Sequence, residues 1–451
     1  MTQKLNQDVA RQTFHTKLIF ATFCIIIAFI LIDTSIVKTS VYTGGLSGST
    51  GDIMLFTTIT LIYAIGQYII LSGTTVKELF RTRIMVVIHR SVIILQYVLI
   101  AILLITIIQM IITSSYSSII LKIVTWINYS MSIVFLGLLA KKFISWYSTR
   151  RNNILIAYAI AMVFLCMENI VSIIDISYGL SISGGPTNVR ITKSSVALIG
   201  ASYSISSIVL SVYFVTSLLA FISTWLATVL LLKHYSNKIG KAKYWILVSI
   251  PLVYFLTQFQ TILINLFTPL RLTDPILFGI TYTLIFSASK PIGGILFGIA
   301  FWIISRGLKY RQVKEYMIIS GYGLLLFITA NQHQVLQLNP YPPFGVPTIC
   351  YVGLGSYLIL IGVYSSALSV ANDVQIRRSI RKSILEDLEL LGNIGEAQFE
   401  DLLEKKILKK TKSLSDQILQ ETGIESSLQE REIHDYVLTV IREIKNRNGV
   451  S

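Results

Sequence analysis

Ten stretches of roughly 20 mostly apolar residues limit what this chain can become. A helix rises about 1.5 Å per residue and the hydrocarbon core of a bilayer is about 30 Å thick, so about 20 such residues cross it. Lipid offers no hydrogen-bond partners, and a helix satisfies every backbone group within its own segment. The stretches are 18–36, 52–72, 90–112, 118–140, 153–175, 208–232, 245–268, 276–304, 316–333 and 347–370. Short connectors separate them. The expectation is an all-α, polytopic transmembrane helical bundle of about ten spans over 18–372, with a short N-terminus (1–17) before it and a tail (373–451) after it.

The charges test this count. Only 14% of the 451 residues are charged, where soluble proteins carry about a quarter. The net charge of +15 suggests nucleic acid at first, but a chain that is 53% hydrophobic does not fit such a partner. With the N-terminus placed in the cytoplasm, 19 basic residues fall in the N-terminus and the inner loops, and each of the four loops receives four. The outer loops hold Lys38, Arg190, Lys193 and Arg271. Lys and Arg in short loops mark the cytoplasmic side, so the alternation predicts a multi-pass protein of the cell membrane with both termini cytoplasmic. The bilayer is its first partner, and the basic loops suit anionic headgroups.

Residues 176–207 interrupt the pattern. They read as an outer loop whose end, 196–207, is either a re-entrant piece or an extension of the sixth span, since irregular backbone at membrane depth must be covered by protein or line a cavity.

Charged groups within spans are costly and face the interior, where they often mark a working site. Asp33 lies roughly 24 Å up the first span and Glu168 roughly 22 Å up the fifth. Lys290 sits near the middle of the eighth, in Ser287-Ala288-Ser289-Lys290-Pro291-Ile292-Gly293-Gly294. Pro291 removes a helical donor and crowds the preceding turn. A helix break at Pro291, Gly293 and Gly294 is therefore expected, of the kind from which transporters build midplane sites. Asn169, Gln258, Gln260 and His333 fall in the outer halves of their spans. Together these residues outline a polar cavity open to the outside, with Lys290 at its floor and Glu168 as its counter-ion. The plainer reading is interhelical packing glue, each bond worth well under ~2 kcal/mol. Gly294-x-x-x-Gly298 reads as a close helix contact.

Neither a metal site nor a cofactor is expected. Cys24, Cys166 and Cys350 stand apart in apolar runs, and His333 has no ligand-type neighbour. No nucleotide, zinc-protease or nucleophile-elbow motif appears, so an enzyme is not expected. His434, in Glu432-Ile433-His434-Asp435, is too close to residue 451 to serve a sensor kinase whose nucleotide-binding domain would follow it.

At Asp373 the composition turns. The tail carries 13 basic and 15 acidic residues against 25 and 8 before it. Ile376, Ile380, Ile384, Leu388 and Leu391 form a stripe that would extend the tenth span as a rod. A second helix is expected from about Glu396 to Glu421, stopped by Gly423, and a third after the capping box Ser427…Glu430. Such amphipathic helices suit self-association or a cytoplasmic protein partner through 393–451.

Tyr341-Pro342-Pro343-Phe344-Gly345, the run 356–370, Ile376-Arg377-Arg378-Ser379-Ile380-Arg381-Lys382 and the tail's 421–428 resemble a family of archaeal polytopic membrane proteins of no assigned function. The resemblance covers the last hundred or so residues and implies a shared architecture without an activity or a site. The loops 147–152 and 309–314 resemble those of membrane input modules of sensor proteins.

Three functions follow. The first is a membrane sensor or coupling protein whose outward cavity acts through the tenth span on the tail. The second is a secondary transporter with a broken eighth helix around Lys290, although no internal repeat is visible. The third is a scaffold subunit of a membrane assembly. The sequence does not name the small-molecule ligand.

Overall fold

A computed structural model describes residues 18, 20–37, 50–73, 83–182, 188–190, 205–233, 235–236, 240–257, 268–274, 277–278, 281, 289–308, 310–332, 341–373 and 389–422. The elements are α1 (Phe20–Val37), α2 (Thr50–Gly73), α3 (Arg83–Thr113), β1 (Ser115–Ser117), α4 (Ser118–Thr149), α5 (Asn153–Ile182) and β2 (Asn188–Arg190). They continue with α6 (Ile205–Lys233), α7 (Lys241–Thr257), α8 (Thr268–Thr273), α9 (Ser289–Arg306), α10 (Arg311–Ala330), α11 (Val346–Asn372) and α12 (Glu389–Thr422). Eight of them, α1 to α6 with α10 and α11, are long and apolar enough to cross a membrane. The helices α7 and α9, of 17 and 18 residues, are the described parts of the seventh and eighth apolar stretches. The chain is an all-α, multi-pass membrane protein.

Its surface supports that environment. Leu61, Ile65 and Tyr68 on α2, and Ile94, Ile105 and Ile108 on α3, are each at least half exposed. In water a continuous face of this kind would be an aggregation patch; in a bilayer it meets acyl chains.

Burial rises steeply from the rim to the axis. The apolar window of α3 is 33% buried and that of α11 is 100% buried, which makes α11 the central helix. It packs chiefly on α10 and α4. The close contact with α10 is made by glycine: a Cβ on Gly323 would lie 2.6 Å from the Ile359 nitrogen, and one on Gly355 2.8 Å from the Phe327 nitrogen. Lipid gives helices no hydrophobic reason to associate, so close packing of this kind does the holding. The Gly294-x-x-x-Gly298 spacing plays the same part between α9 and α10, with Gly298 against the Gly321 carbonyl.

Two expectations change. The loop expected over 176–207 is shorter: α5 runs on to Ile182, where Trp126 Nε1 donates to Ser177 Oγ at 2.9 Å, and α6 starts at Ile205. Between them β2 pairs antiparallel with β1, Tyr116 opposite Val189. Residues 196–204 lie outside the described residues, while 205–207 open α6. The second change is in the tail. At Asp373 the backbone turns extended (φ −102°, ψ 115°), so α11 ends there, and Ile376, Ile380, Ile384 and Leu388 of the expected stripe lie outside the described residues. Leu391 instead belongs to α12, which begins seven residues before the expected Glu396 and lies back on α11 and α4. The expected third tail helix lies outside the described residues.

Apolar residues at helical spacing, Leu390, Leu391, Ile394 and Ala397, bury one face of α12. Polar contacts fix its register. Arg150 pairs with Glu396 and lies 3.7 Å from Glu400, Lys142 reaches Asp401 at 3.3 Å, and Trp146 Nε1 donates to Gln398 Oε1 at 3.1 Å. Burial pushes the Asp401 carboxyl up, but the Lys405 hydrogen bond and the Lys142 and Lys405 charges outweigh it and hold it below its usual 3.8. A depressed carboxylate contributes fully above its unfolded value, and the contribution is lost as pH falls through the folded one. Docking of α12, followed by the distance between spin labels on α4 and α12, is thus expected to be constant from about pH 5 to 8 and to weaken below about pH 4.

Candidate functional site

Lys290 is the second residue of α9, in the half of the bundle away from the loops at 150–152 and 307–310: sixteen residues separate it from Arg306, roughly 24 Å of helix. Pro291 therefore falls in the first described turn. The break expected at Pro291, Gly293 and Gly294 is not found: the helix runs without interruption through all three, from Ser289 to Arg306. Gly293 packs against the ring of Phe221 on α6, which draws the start of α9 against that helix.

An ammonium has three donors, and each finds an acceptor from a different helix. Lys290 Nζ donates to Glu168 Oε1 of α5 at 2.9 Å, to Tyr213 Oη of α6 at 3.0 Å, and to the Asn331 carbonyl at the end of α10 at 3.0 Å. The Glu168 side chain is 4% exposed and that of Lys290 16%. The carboxylate cancels the charge, and the carbonyl end of α10 adds the negative pole of a helix dipole. Asn331 caps α10 through its own N–H to the Phe327 carbonyl, and its side-chain Oδ1 accepts from Tyr129 Oη at 3.1 Å. Tyr129 brings in α4, so the cluster ties together five helices.

A second link between α4 and α5 lies one residue on. Asn169 Nδ2 donates to Ser132 Oγ at 2.7 Å, while its buried Oδ1 has no hydrogen-bond partner among the described residues.

Of the residues expected to line one cavity, Glu168 and Lys290 meet directly, while Asn169 turns to Ser132 of α4. Asp33 does not join them. It is fully buried and caps the central helix: Oδ1 accepts from the Gly345 N–H at 2.9 Å and Oδ2 from Thr348 Oγ at 2.6 Å. Gly345 has φ 88°, a left-handed turn that L side chains avoid, and it aims its N–H back at α1. Gln258, Gln260 and His333 lie outside the described residues.

Sequence reasoning passed over Tyr213 and Tyr129, since tyrosine within a span reads as apolar. Two further buried polar contacts were also missed: Tyr63 Oη donates to Gln96 Oε1 at 2.6 Å, and His89 Nδ1 meets the Tyr357 hydroxyl. The signal was there in Gln96, a polar side chain in mid-span. Among the described residues no group of three His, Cys, Asp or Glu side chains is placed to hold a metal ion. No protein-family model, curated protein or solved structure matches this chain.

Proposed function

We propose that the protein is a membrane coupling device, a sensor whose input is the Lys290–Glu168 cluster and whose output is the position of α12. The observation behind this reading is that α4 belongs to both. Tyr129 and Ser132 of α4 meet the cluster through Asn331 and Asn169. Thirteen to twenty-one residues beyond Tyr129, along the same helix and its corner, Lys142, Trp146 and Arg150 hold α12. The positive-inside distribution supports placing α12 in the cytoplasm and the cluster in the outward half of the bundle.

A polar solute that takes Glu168 or Asn331 away from Lys290 undoes a junction of five helices at once. Such a guest carries a donor for Glu168 and an acceptor for Lys290, as a small zwitterion does. It shifts α12 only to the extent that it binds the two arrangements with different affinity. The test places spin labels at Ser148→Cys and Lys406→Cys and compares the native cluster with Lys290→Gln/Glu168→Gln. A changed distance distribution between labels is expected; the same distribution in both proteins would sink the coupling.

Transport is the second reading, favoured by a neutralised ion pair at the start of a proline-bearing helix within the membrane. Solute uptake into proteoliposomes that survives removal of residues 389–451 would favour it over coupling.

A further inference from the structure

On the lipid-facing side of α4 and α5 runs a groove of about 390 Å³, lined by Gly137, Ala140, Lys141 and Ile144 from α4 and by Val163 and Met167 from α5. Gly137 makes it: a Cβ built there meets nothing within 4 Å. Ile144, Val163 and Met167 are 51%, 41% and 43% exposed, so its walls are apolar side chains turned to the bilayer.

Its length is close to the thickness of one leaflet. Counted from the end of α4 at Thr149, Ile144 lies roughly 8 Å and Gly137 roughly 18 Å in; Met167 lies roughly 21 Å along α5 from Asn153. The groove therefore runs about 13 Å, close to the ~15 Å half-thickness of the hydrocarbon core. Lys141 stands roughly 12 Å in, and its stem is long enough to carry the ammonium toward the headgroups. The neighbouring cations are committed elsewhere, Lys142 and Arg150 to the acidic face of α12. Lys141 is exposed and has no hydrogen bond or ion pair to any described residue.

An apolar trough of leaflet length, lined near its basic end by a lysine that pairs with no described residue, has the chemistry of a lipid site. We infer that the groove holds one chain of an anionic phospholipid from the leaflet at the basic end, with its phosphodiester on Lys141.

Full-length protein purified in detergent is the material for the test, with lipid retention read by native mass spectrometry. The probes are phosphatidylglycerol, phosphatidylcholine with matched chains, and glycerol phosphate, which has the headgroup without chains. Retention is expected for phosphatidylglycerol over phosphatidylcholine, and none for glycerol phosphate. Lys141→Gln is expected to cut the anionic preference about fivefold, the effect of one basic residue near a charged surface. Gly137→Leu is expected to fill the trough and reduce retention of both lipids. Equal retention of the two lipids by the native protein, or an undiminished preference in Lys141→Gln, overturns the proposal. So does a Gly137→Leu protein that keeps its lipid but loses an oligomer, since the groove would then be a contact between copies. Lys141 is exposed, so the glutamine variant keeps the test decisive even where the leucine variant does not fold.

Discussion

Replacing Lys290 by methionine is expected to lower stability in detergent micelles by about 3–5 kcal/mol, and replacing Glu168 by methionine as well is expected to recover most of the loss. The ammonium makes three hydrogen bonds. Bonds between membrane helices average only about 0.6 kcal/mol, so losing the three as neutral contacts accounts for roughly 2 kcal/mol. The remainder comes from leaving the Glu168 carboxyl group, 4% exposed, with no cation beside it. The double variant removes that group and puts two flexible apolar side chains in its place, which explains why two substitutions should harm the fold less than one. Unfolding curves for the four proteins of the cycle give the interaction energy directly. About 2 kcal/mol or more is expected, and simple additivity would mean that the two residues are not energetic partners.

Asp33→Ala is expected to cost about 2–3 kcal/mol, with Asp33→Asn recovering about half. Capping a helix from within the same chain segment contributes about 0.5–2 kcal/mol, and hydrogen bonds to a charged group about 1.5–3 kcal/mol. Here a carboxylate on α1 accepts two donors at the start of α11, in a site closed to solvent. Asparagine retains one acceptor oxygen and loses the charge that faces the positive end of α11. Thermal unfolding of the three proteins checks the order. An alanine variant as stable as the native protein would show that the cap contributes nothing.

The spans were legible because membrane crossing imposes a length and an apolarity that no other constraint overrides. Gly298 could be read as a contact residue, since small residues four apart have few other uses in a lipid-facing helix. The pairing of Glu168 with Lys290 was also readable, because two opposite charges stranded in apolar helices have few other partners. What the sequence hid is which helices are neighbours. Asp33 looked like a member of the same polar cavity, but its partners, Gly345 and Thr348, are more than 300 residues away and carry no charge to betray them. The tyrosines escaped notice because ring and hydroxyl pull the reading in opposite directions. In the tail, the apolar stripe from Ile376 to Leu391 suggested one rod, but stripe periodicity does not record where a helix ends. The turn at Asp373 does that, and it lets α12 fold back.

The burial of α11 has a consequence for the order of assembly. Among the described spans the central helix is the last to leave the ribosome, so α4 and α10 are made before the helix on which they pack. Asp33 is made 312 residues before the Gly345 N–H that it holds. At about 5–20 residues per second the interval is about 15–60 s, during which a carboxylate in the first helix has no final partner. Arrival of α11 supplies that partner together with the surface on which α4 and α10 pack.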